Sequence, residues 1–179
     1  MAIAEEASDP LSAKEVLENA LMLMTQNKVA YVWSNGPTNY GGQAAYLTWA
    51  KAVENDNYFA GGTDNMSCQI DAETMVGEGR LHAAIYIESL LDEIPGQAQL
   101  LQKCAGLLKA AAACAQEIAT LHSQFSTKEN RIKIAALIRK AADYEKQACL
   151  VLAKILDKTP SQINEIEQQL NEAAAIVAN

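Results

Sequence analysis

Apolar residues recur at helical spacing along most of the chain after residue 11, and only one short run has strand character. That run is Val29-Ala-Tyr-Val-Trp33. No second strand-like run is present to pair with it, and an isolated strand has no stability of its own, so it reads as extended chain or a buried linker. Helix-on-helix packing is what remains. The expected fold class is all-α: a single-domain bundle of five to six helices with a long aromatic and Gly-rich loop segment. A chain of 179 residues suffices for one core but not comfortably for two. Residues 1–10 are expected to form a disordered lead and 11–179 the helical bundle domain.

Helix boundaries are well marked. Ser12-Ala-Lys-Glu15 is a capping box, and Val16, Leu17, Ala20, Leu21 and Met24 continue at helical spacing to about residue 26. A second helix is expected from Tyr40 or Gly41 to about Asn55, with Ala45, Leu47, Trp49, Ala52 and Val53 as its apolar surface. A third, about 68–92, carries Ile70, Met75, Leu81, Ala84, Ile85, Leu90 and Leu91 and stops before Pro95-Gly96. Inside it, Gly77-Glu78-Gly79 predicts either a break or something large packed on bare backbone, because each helical glycine costs about 1 kcal/mol relative to Ala. Helix four is expected over 97–122, with an Ala-rich face. Helix five, over 128–157, is capped by Thr127 and carries a stripe of Ile134, Ile138, Ala141, Ala148, Leu152 and Ile155. Thr159-Pro160 opens helix six, where Ile163, Ile166, Leu170, Ala173 and Val177 form a coiled-coil-like seam. This seam either closes the bundle or makes helix 160–178 the surface of a homodimer.

Charge narrows the partners. The net charge of −8 is spread without a basic stripe, which disfavours nucleic acid and anionic membranes, and no apolar run approaches the ~20 residues of a membrane span. The densest basic group, Lys128, Arg131, Lys133, Arg139 and Lys140, reads as a solvated helix face or a docking surface. The four cysteines, Cys68, Cys104, Cys114 and Cys149, contain no CxxC pair and follow no secretory signal, so a cytoplasmic location with reduced thiols is expected. Three fall among Ala and Leu as small apolar fillers. Cys68 lies near Gly and Asn and is a candidate reactive thiol.

Seven of the ten aromatic residues fall between Tyr31 and Phe59, together with both tryptophans and a double glycine. A helical scaffold has no need of such a segment. A pocket uses aromatic walls, and glycines where backbone approaches something closely. Tyr31, Trp33, Tyr40, Tyr46, Trp49 and Tyr58 are therefore candidate walls, and residues 55–67, the longest irregular stretch, a candidate gate. Facing them, Glu78, Arg80, His82 and Tyr86 are candidates for the polar end, with Arg80 pairing either Glu78 or an anionic ligand group. The alternative is a buried aromatic core with an internal salt bridge.

Other chemistry has weak support. Glu78 and His82 are four apart on one helix face, but His82 and His122 are the only histidines and no Glu-x-x-His motif occurs, so no metal is expected. No nucleophile elbow, P-loop or GxGxxG is present, and no cofactor is expected. Asp71, Glu73, Glu78 and Glu88 are available for acid–base work but are as readily solvated helix faces; the catalytic residues are unknown.

The run Tyr40-Gly-Gly-Gln-Ala-Ala-Tyr-Leu-Thr-Trp49 and its continuation to Phe59 resembles the helical region of proteins similar to butirosin biosynthesis protein H, in which a C39-peptidase-like half precedes a helical region with a Gly-x-x-Ala-Tyr-x-x-Trp run. Arg80-Leu-His-Ala-Ala84 and Arg139-Lys-Ala-Ala-Asp-Tyr-Glu145 extend the resemblance, which spans residues 12–157. The peptidase-like half, with its nucleophilic Cys and His, is absent, and Cys68 does not match that nucleophile. The resemblance implies a helical module that binds or shapes a ligand site. The function expected is small-molecule binding, as a sensor or carrier with an aromatic pocket; an enzyme using acid–base residues in the same pocket, or a homodimerising interaction module, are the alternatives.

Overall fold

The computed structural model describes residues 10–29, 39–58, 66–121 and 125–178; the side chains of Val29, Asn39 and residues 66–69 are not described. Most of the expected lead, and with it Tyr31, Trp33, Phe59 and His122, lies outside these residues. So do most of the expected gate and the side chain of Cys68.

The described chain is all-α, with helices α1 (Ala13–Thr25), α2 (Gly42–Glu54), α3 (Met66–Ser89), α4 (Ala98–Thr120), α5 (Lys128–Ile155) and α6 (Pro160–Ala178). The Ser12 capping box forms as expected, and Thr127 accepts the Asn130 N–H at the start of α5. α3, α4 and α5 pack side by side in an antiparallel layer. α2 lies on α5, α6 closes over α2 and α5, and α1 rests against α5 and α2. α4 and α5 bury many small residues in common clusters, Ala105 and Ala148 in one and Ala111, Ala141 and Ala142 in the other, and such residues let helix backbones approach closely. One apolar cluster gathers Leu17, Leu21, Ile87, Leu101, Leu152 and Leu170, and a second gathers Tyr46, Val53, Ile118, Phe125, Ile134 and Ile138.

Several expectations change. Lys28 and Val29 are not an unpaired linker: they form β1 (Lys28–Val29), which pairs antiparallel with β2 (Asn39–Tyr40). Two residues on each side are too few to leave a periodic signal. α3 runs unbroken through both glycines. Gly77 is buried, and a Cβ there would stand 3.6 Å from the Ala115 Cβ of α4; at Gly79 nothing lies within 4 Å.

The buried stripes of α2 and α3 are also rotated from those expected. α2 buries Gln43, Ala44, Tyr46, Ala50 and Val53, while Ala45, Leu47, Trp49 and Ala52 are only half-buried. α3 buries Glu73, Gly77, Ala84 and Ile87, with half-buried Arg80 in the same register and buried Leu90 just past its end, and leaves Ile70, Met75, Leu81 and Ile85 exposed. Both helices carry apolar residues all round, so composition alone did not fix which face turns inward.

The seam of α6 is used within the chain. Leu170 and Ala173 are buried, and Ile163 and Ile166 pack on the first cluster. The α1–α2 connection is tied to α6 at Asn27, whose side chain donates to Gln169 O at 2.7 Å and accepts from Ala44 N at 3.2 Å. The basic group of α5 is largely paired with carboxylates rather than free. Lys128 and Arg131 hold Asp56, Arg139 grips Glu54 with two bonds of 2.6 Å, and Lys133 meets Glu129. Lys140 stands 6.0 Å from the Tyr144 ring.

Candidate functional site

A cavity of about 450 Å³ opens where α1, α3, α4 and α5 meet. α1 supplies one wall with Val16, Leu17, Ala20, Leu23 and Met24. α3 contributes Ala83, Tyr86 and Ile87, α4 Cys104 and Leu108, and α5 Leu152. The side chains follow from helical spacing. On α1, residues 16, 17, 20, 23 and 24 form one stripe, and on α3, 80, 83 and 87 form another. Gly42, the first residue of α2, also touches the cavity. Its φ is +44°, and a Cβ there would lie 2.5 Å from Met24 O, so this glycine is needed for a close approach to the chain itself, at the end of the α1 wall.

The polar end is a buried cluster on three helices. Glu145 of α5 is 2% exposed and accepts from Tyr46 Oη of α2 at 2.6 Å, from Arg80 Nε of α3 at 2.6 Å and from Arg80 Nη2 at 2.9 Å. Short, charge-assisted and bidentate, this is the strong form of ion pair, and it gives the buried carboxylate partners for both oxygens. Burial, reinforced by the Glu145 charge, pushes the Tyr46 phenol up, so Tyr46 remains a proton donor to Glu145. Burial opposes the Arg80 charge, but Glu145 outweighs it and raises the guanidinium above its usual range. Arg80 and Glu145 both contribute to the cavity lining, whereas His82 lines it from an exposed position.

Of the residues singled out from sequence, Arg80, His82 and Tyr86 line this cavity, and Tyr46 joins its polar cluster. Glu78 does not pair with Arg80. It is exposed and borders a second, more open cleft of about 470 Å³ between α3 and α4, with Ile70, Glu73, Thr74, Leu81 and Gln116. Trp49 packs on the second apolar cluster, Tyr40 is half-buried in β2, Tyr58 is 57% exposed, and Trp33 lies outside the described residues. The described walls of the cavity are thus aliphatic, with Tyr86 as their aromatic member.

Glu145 was missed as a site residue, although a signal existed. The α5 stripe steps from Ala141 to Ala148, and the vacant helical slot between them is residue 145, an acidic residue in core register.

Cys104 and Cys149 sit beside the cluster, and burial pushes each thiol up to about 12, which leaves them poor nucleophiles. Among the described residues no group of three His, Cys, Asp or Glu side chains is placed to share a metal ion, and no helix is long and apolar enough to cross a membrane. The fold and site together define a helical bundle with an apolar cavity whose lining includes an ion pair between half-buried Arg80 and buried Glu145. No protein-family profile, curated protein or solved structure matches the chain.

Proposed function

We propose that this protein binds a small organic molecule in the cavity between α1, α3, α4 and α5, as a sensor or carrier. The supporting observation is a space of about 450 Å³, within the range of small-molecule sites, whose walls are aliphatic and whose lining includes the Arg80–Glu145 pair. An apolar body would gain about 0.8 kcal/mol per buried methylene from these walls. Tyr46, Arg80 and Glu145 come from the three sequence segments that carry the resemblance described above, and their convergence on one cluster supports a module that shapes a ligand site. The buried, unbridged thiols of Cys104, Cys114 and Cys149 fit a reducing compartment such as the cytoplasm.

The reading predicts a non-covalent adduct in native mass spectra of the purified protein that is lost after denaturing extraction. Ala20→Phe places a ring in the cavity and removes the adduct while the helical circular dichroism remains. A bare mass, with no thermal stabilisation by any apolar compound offered, would sink the proposal. Turnover of the bound molecule would instead move the reading to an enzyme.

A further inference from the structure

The polar end of the cavity fixes the charge class of what it accepts. The inference rests on the binding reading above and extends it. Arg80 and Glu145 meet through two hydrogen bonds, at 2.6 and 2.9 Å, so the one full positive and the one full negative charge in the cavity lining neutralise each other. An ionised head group buried there would lose its hydration without gaining an uncompensated counter-charge. An anion would approach Glu145 as well as Arg80, and a cation Arg80 as well as Glu145.

Hydrogen-bonding capacity remains. A guanidinium has five N–H donors, of which Nε–H and one on Nη2 go to Glu145, and Glu145 Oε1 receives the single Nη2 bond while Oε2 receives both Tyr46 and Arg80. Donor and acceptor capacity therefore sit side by side at the end of an aliphatic channel.

We infer that the ligand is an uncharged amphiphile: an aliphatic body carrying one neutral hydrogen-bonding group, such as a hydroxyl, which docks beside the closed Arg80–Glu145 pair and hydrogen-bonds to its remaining donors and acceptors. The pair acts as a filter. It accepts a neutral polar group through hydrogen bonds and rejects both charged forms of the same skeleton.

The test uses one carbon chain with three heads, namely 1-decanol, decanoate and decylamine, titrated calorimetrically into the full-length protein at about pH 8, where the last two carry opposite charges. Wild type is expected to bind 1-decanol at least ~10-fold more tightly than either charged probe. Tightest binding of decanoate or decylamine would overturn the inference while leaving the cavity as a binding site. Absence of binding by all three, together with a bare native mass, would overturn both readings.

Glu145→Gln leaves the Arg80 charge uncompensated and is expected to shift the preference by ~10-fold or more toward decanoate; an unchanged ranking would overturn the filter. Should that variant not fold, Arg80→Met with Glu145→Met removes both charges in side chains of similar length. In that protein 1-decanol is expected to bind ~5-fold or more weakly, and undiminished binding would overturn docking at the pair.

Discussion

Gly42 holds φ at +44° with Met24 O directly behind the position a Cβ would take, so Gly42→Ala combines backbone strain with a clash against a main-chain carbonyl. The expected cost is about 2 kcal/mol or more, read as a lowered urea midpoint, with a shift of the α1 wall of the cavity. The ion pairs divide by burial. Glu145 is the fully buried partner, and Glu145→Ala leaves the buried Tyr46 hydroxyl without its acceptor and half-buried Arg80 without its counter-charge, so it should cost about 2 kcal/mol or more, whereas removing both charges with Arg80→Met and Glu145→Met should cost less. Arg139 and Glu54 make equally short bonds, but their side chains are 42% and 36% exposed, and Glu54→Ala should cost less than about 1 kcal/mol. Urea denaturation of these variants orders them; equal losses at Glu54 and Glu145 would show that burial is not what separates the pairs.

Among the elements, α3 has the least expected sequence-to-structure relation. Its glycines do not break it, and Gly79 faces open space, so Gly79→Ala should stabilise by up to about 1 kcal/mol. Gly77→Leu should destabilise by pressing on Ala115 of α4, while Gly77→Ala, whose Cβ would sit at 3.6 Å, should be tolerated. Thermal melting of the three variants checks this order. The helices themselves were legible because capping residues such as Ser12 and Thr127, and the proline at 160, mark ends through local hydrogen bonding and fixed φ. The inward faces of α2 and α3 were not legible, because Ala, Gly and scattered large apolar residues surround both helices. Their orientation is set by polar partners far away in sequence. Gln43 donates to Ala142 O and Tyr46 to Glu145, while Arg80 reaches the same carboxylate 65 residues on. Arg80, His82 and Tyr86 could be grouped from sequence because they lie on one helix, and all three line the cavity. Glu145 needed the third dimension, or closer attention to a charged residue occupying a core slot.

For the whole molecule, stability should respond to pH at both ends. The Glu54 carboxyl lies below its ordinary value of 4.5 through its hydrogen bonds to Arg139, and Asp56 lies below 3.8 through Lys128 and Arg131. Their contributions are present above those values and are lost as pH falls through the folded-state pKa. At the alkaline end, Cys104 and Cys149 stay protonated to about 12 when folded but ionise from an ordinary 9 when unfolded. Their contribution is complete below pH 9 and fades as pH rises toward 12. Urea midpoints across the pH range should show both limbs, and Cys104→Ala with Cys149→Ala should flatten the alkaline one at a cost of about 1 kcal/mol each near neutrality. Because the α6 seam packs within one chain, Leu170→Lys should lower stability by about 3 kcal/mol or more. A Leu170→Lys protein of unchanged stability but altered sedimentation would instead make the seam a contact between copies.

The alanines that α4 and α5 share, Ala105 and Ala148 in one cluster and Ala111, Ala141 and Ala142 in the other, have a mechanical consequence. Alanine has no rotamers to exchange, so the two backbones interlock directly and have little freedom to slide. The α1 wall of the cavity is carried instead by Val16, Leu17, Leu23 and Met24, side chains with alternative rotamers available, and Leu23 is 60% exposed. Breathing is therefore one-sided. Amide protons of α1 should exchange with deuterium well before those of α4 and α5, and under the binding proposal an occupant of the cavity should slow α1 selectively, as a hinged flap steadied against a fixed plate.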